Sequence, residues 1–338
     1  MLPEEPGRRP TSYDVALAAG VSQPTVSRCF RPDTGISPAT RTRVLAAAER
    51  LGYMPNALAR SLITQRSNLV AVIATRYTLR GNPDVAYALG ESLRAAGKQL
   101  LLVTVEGDLP SRDVLLRTLE YPLDGMISCA LLANTQLDEL RARHIPVVLF
   151  NRQSDGAPVD HVTTDHMRAC EKLARQLAAA GHRRFVCLSG PAEAWVSRQR
   201  TEGFLSGLHA CGIEPEAVLE TDFSYERGRN AFLKYASEVE QPDAVLCAND
   251  QVALGAMDAC RFDLGWRIPD DVSIVGFDDV PEADRPSYDL TTLRQRSVEM
   301  AQEAVQLLLQ RLERPAGKPA HRLFKSILVQ RHSARLVR

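Results

Sequence analysis

Residues 12–30 read S-Y-D-V-A-L-A-A-G-V-S-Q-P-T-V-S-R-C-F, and this stretch decides the fold of the N-terminal part of the chain. Val15 and Ala19 recur at helical spacing, which predicts one short amphipathic helix. Gly20 suits the left-handed backbone of a tight turn, and Ser22 is a good N-cap for a second helix. The stretch therefore predicts two short helices joined by a turn.

The second predicted helix separates its apolar side chains from its polar ones. Val26 and Phe30 share the face that would pack against the first helix. The opposite face carries Pro24, Thr25, Arg28 and Arg31. A helix-turn-helix places such a polar face in the DNA major groove. A small helical hairpin with a solvated arginine has the same periodicity, so the periodicity alone leaves both interpretations open.

The exact residue pattern of the motif favours DNA binding. The pattern D-V-A-x-x-A-G-V-S-x-x-T-V-S-R, followed by S-P-A-T-R and A-A-x-x-L-G-Y-x-P-N-A-L-A-R-S-L, resembles the headpiece of the lactose-repressor/galactose-repressor (LacI/GalR) family of bacterial transcription regulators. The resemblance implies a DNA-binding headpiece over residues 11–54. By that resemblance the DNA contacts come from Ser22, Gln23, Pro24, Thr25, Ser27, Arg28, Asn56, Ala59, Arg60 and Leu62.

The charge distribution agrees with a basic arm on an acidic body. The 338 residues contain 41 basic and 41 acidic side chains. Residues 8–66 nevertheless carry nine arginines against three acidic residues, a net charge of about +6, which leaves about −6 on the remainder. A basic N-terminal unit is typical of nucleic-acid binding.

Composition also bears on compartment and on metal binding. The seven cysteines are scattered without any C-x-x-C pair, which predicts buried hydrophobic side chains and no metal site or disulfide framework. The N-terminus lacks the apolar segment of a signal peptide, and no apolar run approaches membrane length. These observations predict a cytoplasmic protein.

The rest of the N-terminal region, up to residue 68, contains signals for a tail, a third helix and a hinge. Residues 1–10 predict a disordered tail, and Ser37 with Pro38 predicts the start of a third helix that Gly52 ends. Within the hinge and linker region, residues 55–68, the stretch 55–63 can form only about two helical turns, which are marginal alone in water. The family resemblance implies a hinge helix there, with Leu62 as an apolar wedge in the minor groove. A plain linker is the alternative.

From residue 69 the chain alternates continuous apolar runs with amphipathic segments, a pattern typical of parallel sheets covered on both faces. The fold class is therefore α/β, with two doubly wound Rossmann-like lobes, similar to type I periplasmic binding proteins, after the headpiece and hinge helix. We expect an effector-binding and dimerisation core over residues 69–338. Lobe 1 is predicted over residues 69–163 and 295–321, and lobe 2 over residues 164–292 and 322–331. The family resemblance implies that the amphipathic segment 298–313 returns to lobe 1 and that one last strand, near residues 323–329, returns to lobe 2.

Polar residues cluster directly after the apolar strands, where a ligand in the crevice would meet them. The segments match the family motifs A-N-D-Q-x-A-L-G-A, V-G-F-D-D and G-P…R-x-x-G-F. The resemblance implies that Arg200 and Asp278 clamp the effector while Asn249 and Asp165 add hydrogen bonds. It also implies that Phe223 stacks on the effector and that Gln295 lies near the crossover. Carboxylates and a guanidinium together suit the hydroxyl groups of a polyol.

Several other polar and aromatic residues have ordinary structural interpretations. Asp250 and Asp279 are expected to cap helices rather than to bind ligand, and Trp195 fits a core or a rim position equally. Ordinary surface or loop histidines are predicted at His144, His182 and His209. The chain departs from the family pattern at Asp84, where many members carry an aromatic residue that contacts the ligand. Tyr77 or Tyr87 could take over that contact.

Together these features predict a homodimeric transcription factor that binds a near-palindromic operator. We expect it to be a repressor whose affinity for the operator is set by an effector. A sugar is the first choice of effector; Arg198 beside Arg200 leaves room for a sugar acid or phosphate. A nucleobase is the alternative, disfavoured by the apolar Ala194 and Val196.

No heptad repeat precedes Arg338, so we expect dimers rather than tetramers. No catalytic motif, metal or cofactor is predicted, and a periplasmic binding protein would lack residues 12–63.

Overall fold

A computed structural model describes residue 8 and residues 10–30, 35–54, 66–154 and 156–337. Its internal contacts divide the chain into two compact units, Met1–Ser67 and Asn68–Arg338. Residues 55–65 of the predicted hinge and linker, 55–68, lie outside the described residues, and so does most of the predicted tail. The two units are described separately below.

The first unit contains the three predicted helices, α1 (Ser12–Ala19), α2 (Gln23–Cys29) and α3 (Pro38–Leu51). One apolar residue from each helix, namely Val15, Val26 and Val44, is fully buried in their shared core. Gly20 has a φ of 59° and ends α1 in the left-handed region, as the turn requires. The side chain of Ser37 accepts a hydrogen bond from the backbone N–H of Thr40 and so caps α3. The predicted helix-turn-helix is confirmed.

Lobe 1 of the second unit is a six-stranded parallel sheet. Its strands are β1 (Leu69–Thr75), β2 (Gln99–Val105), β3 (Gly125–Ser128), β4 (Val147–Phe150), β5 (Asp160–Thr164) and β11 (His321–Phe324), in the order β11-β5-β4-β3-β1-β2. The helices of this lobe are α4 (Arg76–Gly81), α5 (Asp84–Ala95), α6 (Arg112–Thr118), α7 (Asn134–Ala142) and the late helix α12 (Ser297–Glu313). Strands β1, β3 and β4 are almost completely buried because helices cover both faces.

Lobe 2 repeats this architecture. Its strands are β6 (Phe185–Ser189), β7 (Ala217–Glu220), β8 (Ala244–Cys247), β9 (Ser273–Asp278), β10 (Thr291–Arg294) and β12 (Ile327–Val329), in the order β12-β10-β9-β8-β6-β7. All neighbours are parallel except β12, which runs antiparallel to β10. The helices are α8 (His166–Ala179), α9 (Trp195–His209), α10 (Tyr225–Glu238) and α11 (Asp250–Asp258).

The C-terminal part corrects one prediction about the lobes. The single strand expected near residues 323–329 is two strands in different sheets, because β11 pairs with β5 of lobe 1 and β12 pairs with β10 of lobe 2. Residues 322–324 therefore belong to lobe 1, not to lobe 2 as predicted. The chain changes sheets at the polar pair Lys325 and Ser326, which separates the two short apolar runs.

Helix α9 packs unusually close to α8. A Cβ atom on Gly203 would lie 2.4 Å from the carbonyl oxygen of Met167, and one on Gly207 would lie 2.4 Å from the carbonyl oxygen of Glu171. Only glycine permits this approach without a shift of the backbone. The contact fixes the position of α9, which carries Arg200 towards the space between the lobes.

Candidate functional site

The carboxyl ends of the strands of both lobes face one shared cleft. The polar and aromatic residues that lobe 1 contributes to its lining include Tyr77, Thr78, Asn82, Phe150, Asn151 and Arg152. The lining also includes Arg200, Phe223, Asn249, Asp278 and Gln295. The cavity volume is about 50 Å³, which is room for a few water molecules. In this arrangement of the lobes, protein side chains fill most of the cleft.

The centre of the cleft is a buried ion pair between Arg200 and Asp278. Nη2 of Arg200 lies 3.0 Å from Oδ1 of Asp278, and the two side chains are only 4% and 6% exposed. Nη1 of Arg200 also donates to the carbonyl oxygen of Ala248 at 2.7 Å, and the guanidinium lies over the ring of Phe277, 3.8 Å from its centroid. Burial raises the pKa of Asp278, and the charge of Arg200 opposes that rise. The predicted pair is thus brought together.

A chain of amides links this ion pair to lobe 1. Gln295, which follows β10 at the crossover, donates from Nε2 to Oδ1 of Asp278 at 2.6 Å. Its Oε1 accepts hydrogen bonds from Nδ2 of Asn151 at 2.7 Å and from the hydroxyl of Thr164 at 2.8 Å. Asn151 was not predicted from the sequence. Its position directly after the apolar strand β4 was the signal that could have identified it.

Aromatic residues from the two lobes meet at one side of the cleft. The rings of Tyr77 and Phe223 are 5.5 Å apart, edge to face. Phe223 has a φ of 65°, and its carbonyl oxygen accepts a hydrogen bond from Nδ2 of Asn249 at 3.1 Å. Helix α4 brings Tyr77 to the lining of the cleft. Tyr87, the other candidate, is 73% exposed on α5 and does not line it.

Some residues with predicted roles lie elsewhere. Asp165 is the N-cap of α8, where it accepts a hydrogen bond from the N–H of Arg168, and it does not line the cleft. The cap of α11 is Asn249 and not Asp250, because Oδ1 of Asn249 accepts from the N–H of Val252. An Asx side chain just before the first helical N–H groups is the favoured acceptor there.

Asp250 and Asp279 have partners that the prediction of helix caps did not foresee. Asp250 is fully buried and accepts hydrogen bonds from the N–H of Val280 at 2.9 Å and the hydroxyl of Thr292 at 2.5 Å. Asp279 forms ion pairs with Arg294 and Arg331. Both carboxylates thus tie β9 and its following turn to neighbouring strands.

Two residues on α9 and three histidines had only a general setting predicted from the sequence. Trp195 is half-buried at the start of α9, and Arg198 is exposed and donates to the carbonyl oxygens of Ala192 and Glu193. His144 and His209 are exposed as predicted, but His182 is only 2% exposed, with Nε2 3.1 Å from the carbonyl oxygen of Arg335. His182 lies in a loop, one of the two predicted settings, but it is not at the surface because the C-terminal segment covers it.

Two charged or titratable groups beside the cleft were not predicted. Arg152 forms a buried ion pair with Asp108, at 2.5 Å between Nη2 and Oδ1. His166 is buried beside Arg200, and no partner for its Nε2 is present in the part of the chain that the structure describes. Burial, with the charges of Arg200 and Arg152, holds the pKa of His166 well below its usual range. The imidazole is therefore neutral.

In the first unit, α2 presents the predicted DNA-reading residues. Ser22, Pro24 and Arg28 are exposed, while Thr25 and Ser27 are half-buried. The side chain of Gln23 donates from Nε2 to the hydroxyl of Ser12 at 3.1 Å. The predicted hinge contacts Asn56, Ala59, Arg60 and Leu62 lie outside the described residues.

The described residues form neither a metal-binding cluster nor a membrane-spanning helix. Residues 8, 10–30, 35–54, 66–154 and 156–337 contain no group of three or more His, Cys, Asp or Glu side chains placed to hold a metal ion. No helix within these ranges is long and apolar enough to span a bilayer.

Comparison with known proteins matches both units. Residues 11–56 match the family model for bacterial regulatory proteins of the lacI family, and residues 174–334 match the model for a periplasmic binding protein-like domain. The HTH-type transcriptional regulator CelR of Thermobifida fusca is 30% identical, over 96% of this chain and 98% of that protein. The HTH-type transcriptional repressor PurR of Photobacterium profundum is also 30% identical, over 90% of this chain and 92% of that protein.

Solved structures agree with these relatives. The lac repressor dimer bound to operator and the anti-inducer ONPF superposes with a TM-score of 0.87 at 30% identity, covering 96% of this chain and 99% of that one. A complex of the transcriptional regulator CelR with cellobiose gives a TM-score of 0.70 at 29% identity, covering 96% of this chain and all of that one.

A helix-turn-helix unit followed by two lobes around a polar cleft defines a DNA-binding transcriptional regulator controlled by a small molecule. The similarity over nearly the whole chain makes the assignment specific. The chain belongs to the lacI family of bacterial regulatory proteins.

Proposed function

We propose that this regulator is a repressor that binds a near-palindromic operator as a homodimer in the cytoplasm and responds to an uncharged carbohydrate. The observation that carries the effector proposal is the buried pair of Arg200 and Asp278 in the cleft between the lobes. A two-fold dimer presents its headpieces symmetrically, which favours a near-palindromic site. The lac repressor in the matching structure is a dimer bound to operator.

The charges of the cleft support an uncharged effector. Arg200 is neutralised by Asp278, and Arg152 is neutralised by Asp108. An anionic ligand would have to displace one of these carboxylates and leave it buried without its partner, which costs several kcal/mol. Sugar hydroxyl groups both donate and accept, and so they can join the existing pairs. Arg198, which suggested an acidic sugar, is exposed and already donates to two carbonyl oxygens.

Aromatic side chains support a carbohydrate as well. Tyr77 and Phe223 give the cleft an apolar face beside its hydrogen-bonding groups. The relative CelR has been solved in complex with cellobiose. Another relative is the ribose operon repressor of Escherichia coli, 28% identical over 96% of this chain. A nucleobase is the second candidate, in view of the similarity to PurR. It is less favoured because the half-buried Val196 lines the cleft where a base edge would need polar partners.

The proposal includes the direction of control. The effector can shift operator binding only through its different affinities for two arrangements of the lobes. A switch from 1:99 to 99:1 requires about 5.5 kcal/mol of such difference. We propose that the sugar releases the operator and that binding is followed by no chemical step, because the cleft residues are committed to mutual ion pairs and amide contacts.

The experiment is a ligand screen combined with operator binding. An operator is selected from a random DNA pool with the full chain, and thermal shifts are recorded with cellobiose, ribose, glucose, gluconate, glucose 6-phosphate and hypoxanthine. A ligand at 100 times its Kd stabilises by about 2.7 kcal/mol. We expect a neutral sugar to raise the melting temperature and to weaken the gel shift. A shift with hypoxanthine or only with the acidic sugars would overturn the proposed effector class.

A further inference from the structure

Helix α9 begins without a capping side chain of its own. Its N-cap residue is Ala194, which has no acceptor, although the first backbone N–H groups of a helix need one. The N–H of Trp195 instead donates to Oδ2 of Asp108 at 3.0 Å. Asp108 follows β2 in lobe 1, whereas α9 belongs to lobe 2. A carboxylate of one lobe thus completes the helix of the other.

Asp108 is fixed within lobe 1 on its other side. Its Oδ1 accepts a hydrogen bond from Nε of Arg152 at 2.6 Å, and its backbone carbonyl accepts the N–H of Leu131 at 2.7 Å. The side chains of Asp108 and Arg152 are 2% and 3% exposed. A negative charge at a helix N-terminus is also favourable because the backbone dipole is positive there. The geometry is therefore that of a rigid, buried contact between the lobes.

This contact leads directly to the effector site. Arg200 lies on α9 five residues after Trp195, and Arg152 itself lines the cleft. The lobes are also joined by the hydroxyl of Tyr77, which donates to Glu193 at 3.3 Å, but that contact is exposed. Separation of the lobes must break the hydrogen bond from Trp195 and bring a buried ion pair to the edge of an open cleft.

We propose that Asp108 is a positioning residue for the effector site, because it holds α9 against lobe 1 and thereby keeps Arg200 opposite the lobe-1 side of the cleft. The regulator then samples the closed arrangement of its lobes before any effector arrives. The inference rests on the proposed function only in placing the effector between the lobes. Its test needs no effector, so the two can fail separately.

The test replaces Asp108 by Asn in the full chain. Trp195 is one of two tryptophans, so a Trp266→Phe background leaves it as the only fluorophore. With D108N we expect a red shift of the Trp195 emission, a larger radius of gyration in X-ray scattering and about tenfold faster hydrogen exchange of the Trp195 amide. The control is D124N, which removes a buried ion pair with Lys98 inside lobe 1. It should lower the melting temperature and leave all three readouts unchanged.

A second variant separates capping of the helix from contact between the lobes. Ala194→Ser adds an acceptor at the N-cap of α9 within lobe 2. In the D108N protein this change should slow exchange at residues 196 and 197, while the radius of gyration stays enlarged. If D108N matches D124N in emission, exchange and radius, or if Ala194→Ser restores the radius, the proposed role of Asp108 is wrong.

Discussion

Nε2 of Gln295 lies 2.6 Å from Oδ1 of Asp278, so one amide joins the crossover after β10 to the central carboxylate of the cleft. The same amide accepts hydrogen bonds from Asn151 and Thr164 of lobe 1. Any ligand that changes the contacts of Asp278 therefore also changes those of lobe 1. The effector site and the joint between the lobes share their polar groups.

Arg200 is expected to be essential for the response to effector but not for DNA binding. Arg200→Ala should abolish the thermal shift caused by the sugar identified in the screen, because Asp278 and the ligand both lose their guanidinium partner. It should also lower the free energy of unfolding by about 3–5 kcal/mol, since a buried carboxylate is left unpaired. Gel shifts should show operator binding preserved. The control is Arg229→Ala, which removes a half-exposed pair with Asp263 and should leave the ligand response intact.

Tyr77 and Tyr87 form a matched pair for testing the aromatic contact. Tyr77→Leu should weaken the sugar affinity about two- to tenfold, in line with aromatic contacts of about 0.5–1.5 kcal/mol. Tyr87→Leu should leave it unchanged, because Tyr87 is exposed outside the cleft lining. Isothermal titration calorimetry measures both. Equal losses in the two variants would mean that the aromatic side of the cleft is misassigned.

Asp250 should make the stability depend on pH. Burial, with the charge of Asp278 as the next cause, raises the pKa of Asp250 to about 7. The unfolded chain releases this proton near pH 4, so the folded state holds the proton to a higher pH. This group therefore lowers the stability as the pH rises from about 4 to about 7, and has no further effect above that.

Asp250→Asn removes this dependence. Urea denaturation at pH 5 and at pH 8 measures the effect. The free energy of unfolding of the variant, relative to that of the original protein, should be higher at pH 8 than at pH 5. Asp271→Asn is the control, because hydrogen bonds from Arg267 lower the pKa of Asp271 to about 2, outside this range. A constant difference between the Asp250 variant and the original protein would argue against a protonated Asp250.

Arg28 is predicted to read one base. The side chain is exposed near the end of α2, and a bidentate arginine–guanine contact contributes about 1–3 kcal/mol of discrimination. Arg28→Ala should relax the selected operator sequence at one position of each half-site while the sugar response is retained. Selection from a random DNA pool measures this. Arg50→Ala, at the exposed end of α3, should leave the selected sequence unchanged.

Leu62, which lies outside the described residues, is predicted to act only on specific DNA. Leu62→Ala should weaken operator binding and reduce the bend of the operator, because an apolar wedge favours a kinked base step. Affinity for random DNA should change little. Gel shifts with operator and random DNA, together with circular permutation of the operator, measure these effects. Equal loss on both DNAs would identify residues 55–65 as a plain tether.

The sequence was most informative where local chemistry decides the structure. Gly20, Ser37 and Gly52 occupy the predicted turn and cap positions, because left-handed backbone and helix N-termini restrict the residue types that fit. The family resemblance singled out Arg200 and Asp278 as effector contacts, and the structure brings these two side chains together in the cleft.

Prediction failed where partners are distant in the chain. Asp108 and Arg152 are 44 residues apart, and Asp108 is 87 residues from Trp195. No local pattern distinguishes such a carboxylate from a loop residue. Asp165 was assigned to the effector site by family resemblance, but its side chain caps α8 and does not line the cleft.

Helix α12 supplies the buried side chains Met300, Ala304 and Leu308 to the core of lobe 1, and β11 pairs with β5 at the edge of its sheet. Leu308 packs so close to β3 that a Cβ on Gly125 would lie 2.8 Å from its side chain. The lobe that begins at Leu69 can therefore close its core only after residue 308 has left the ribosome. During synthesis lobe 1 is therefore begun first, but its core must wait for most of lobe 2 to emerge before it can close.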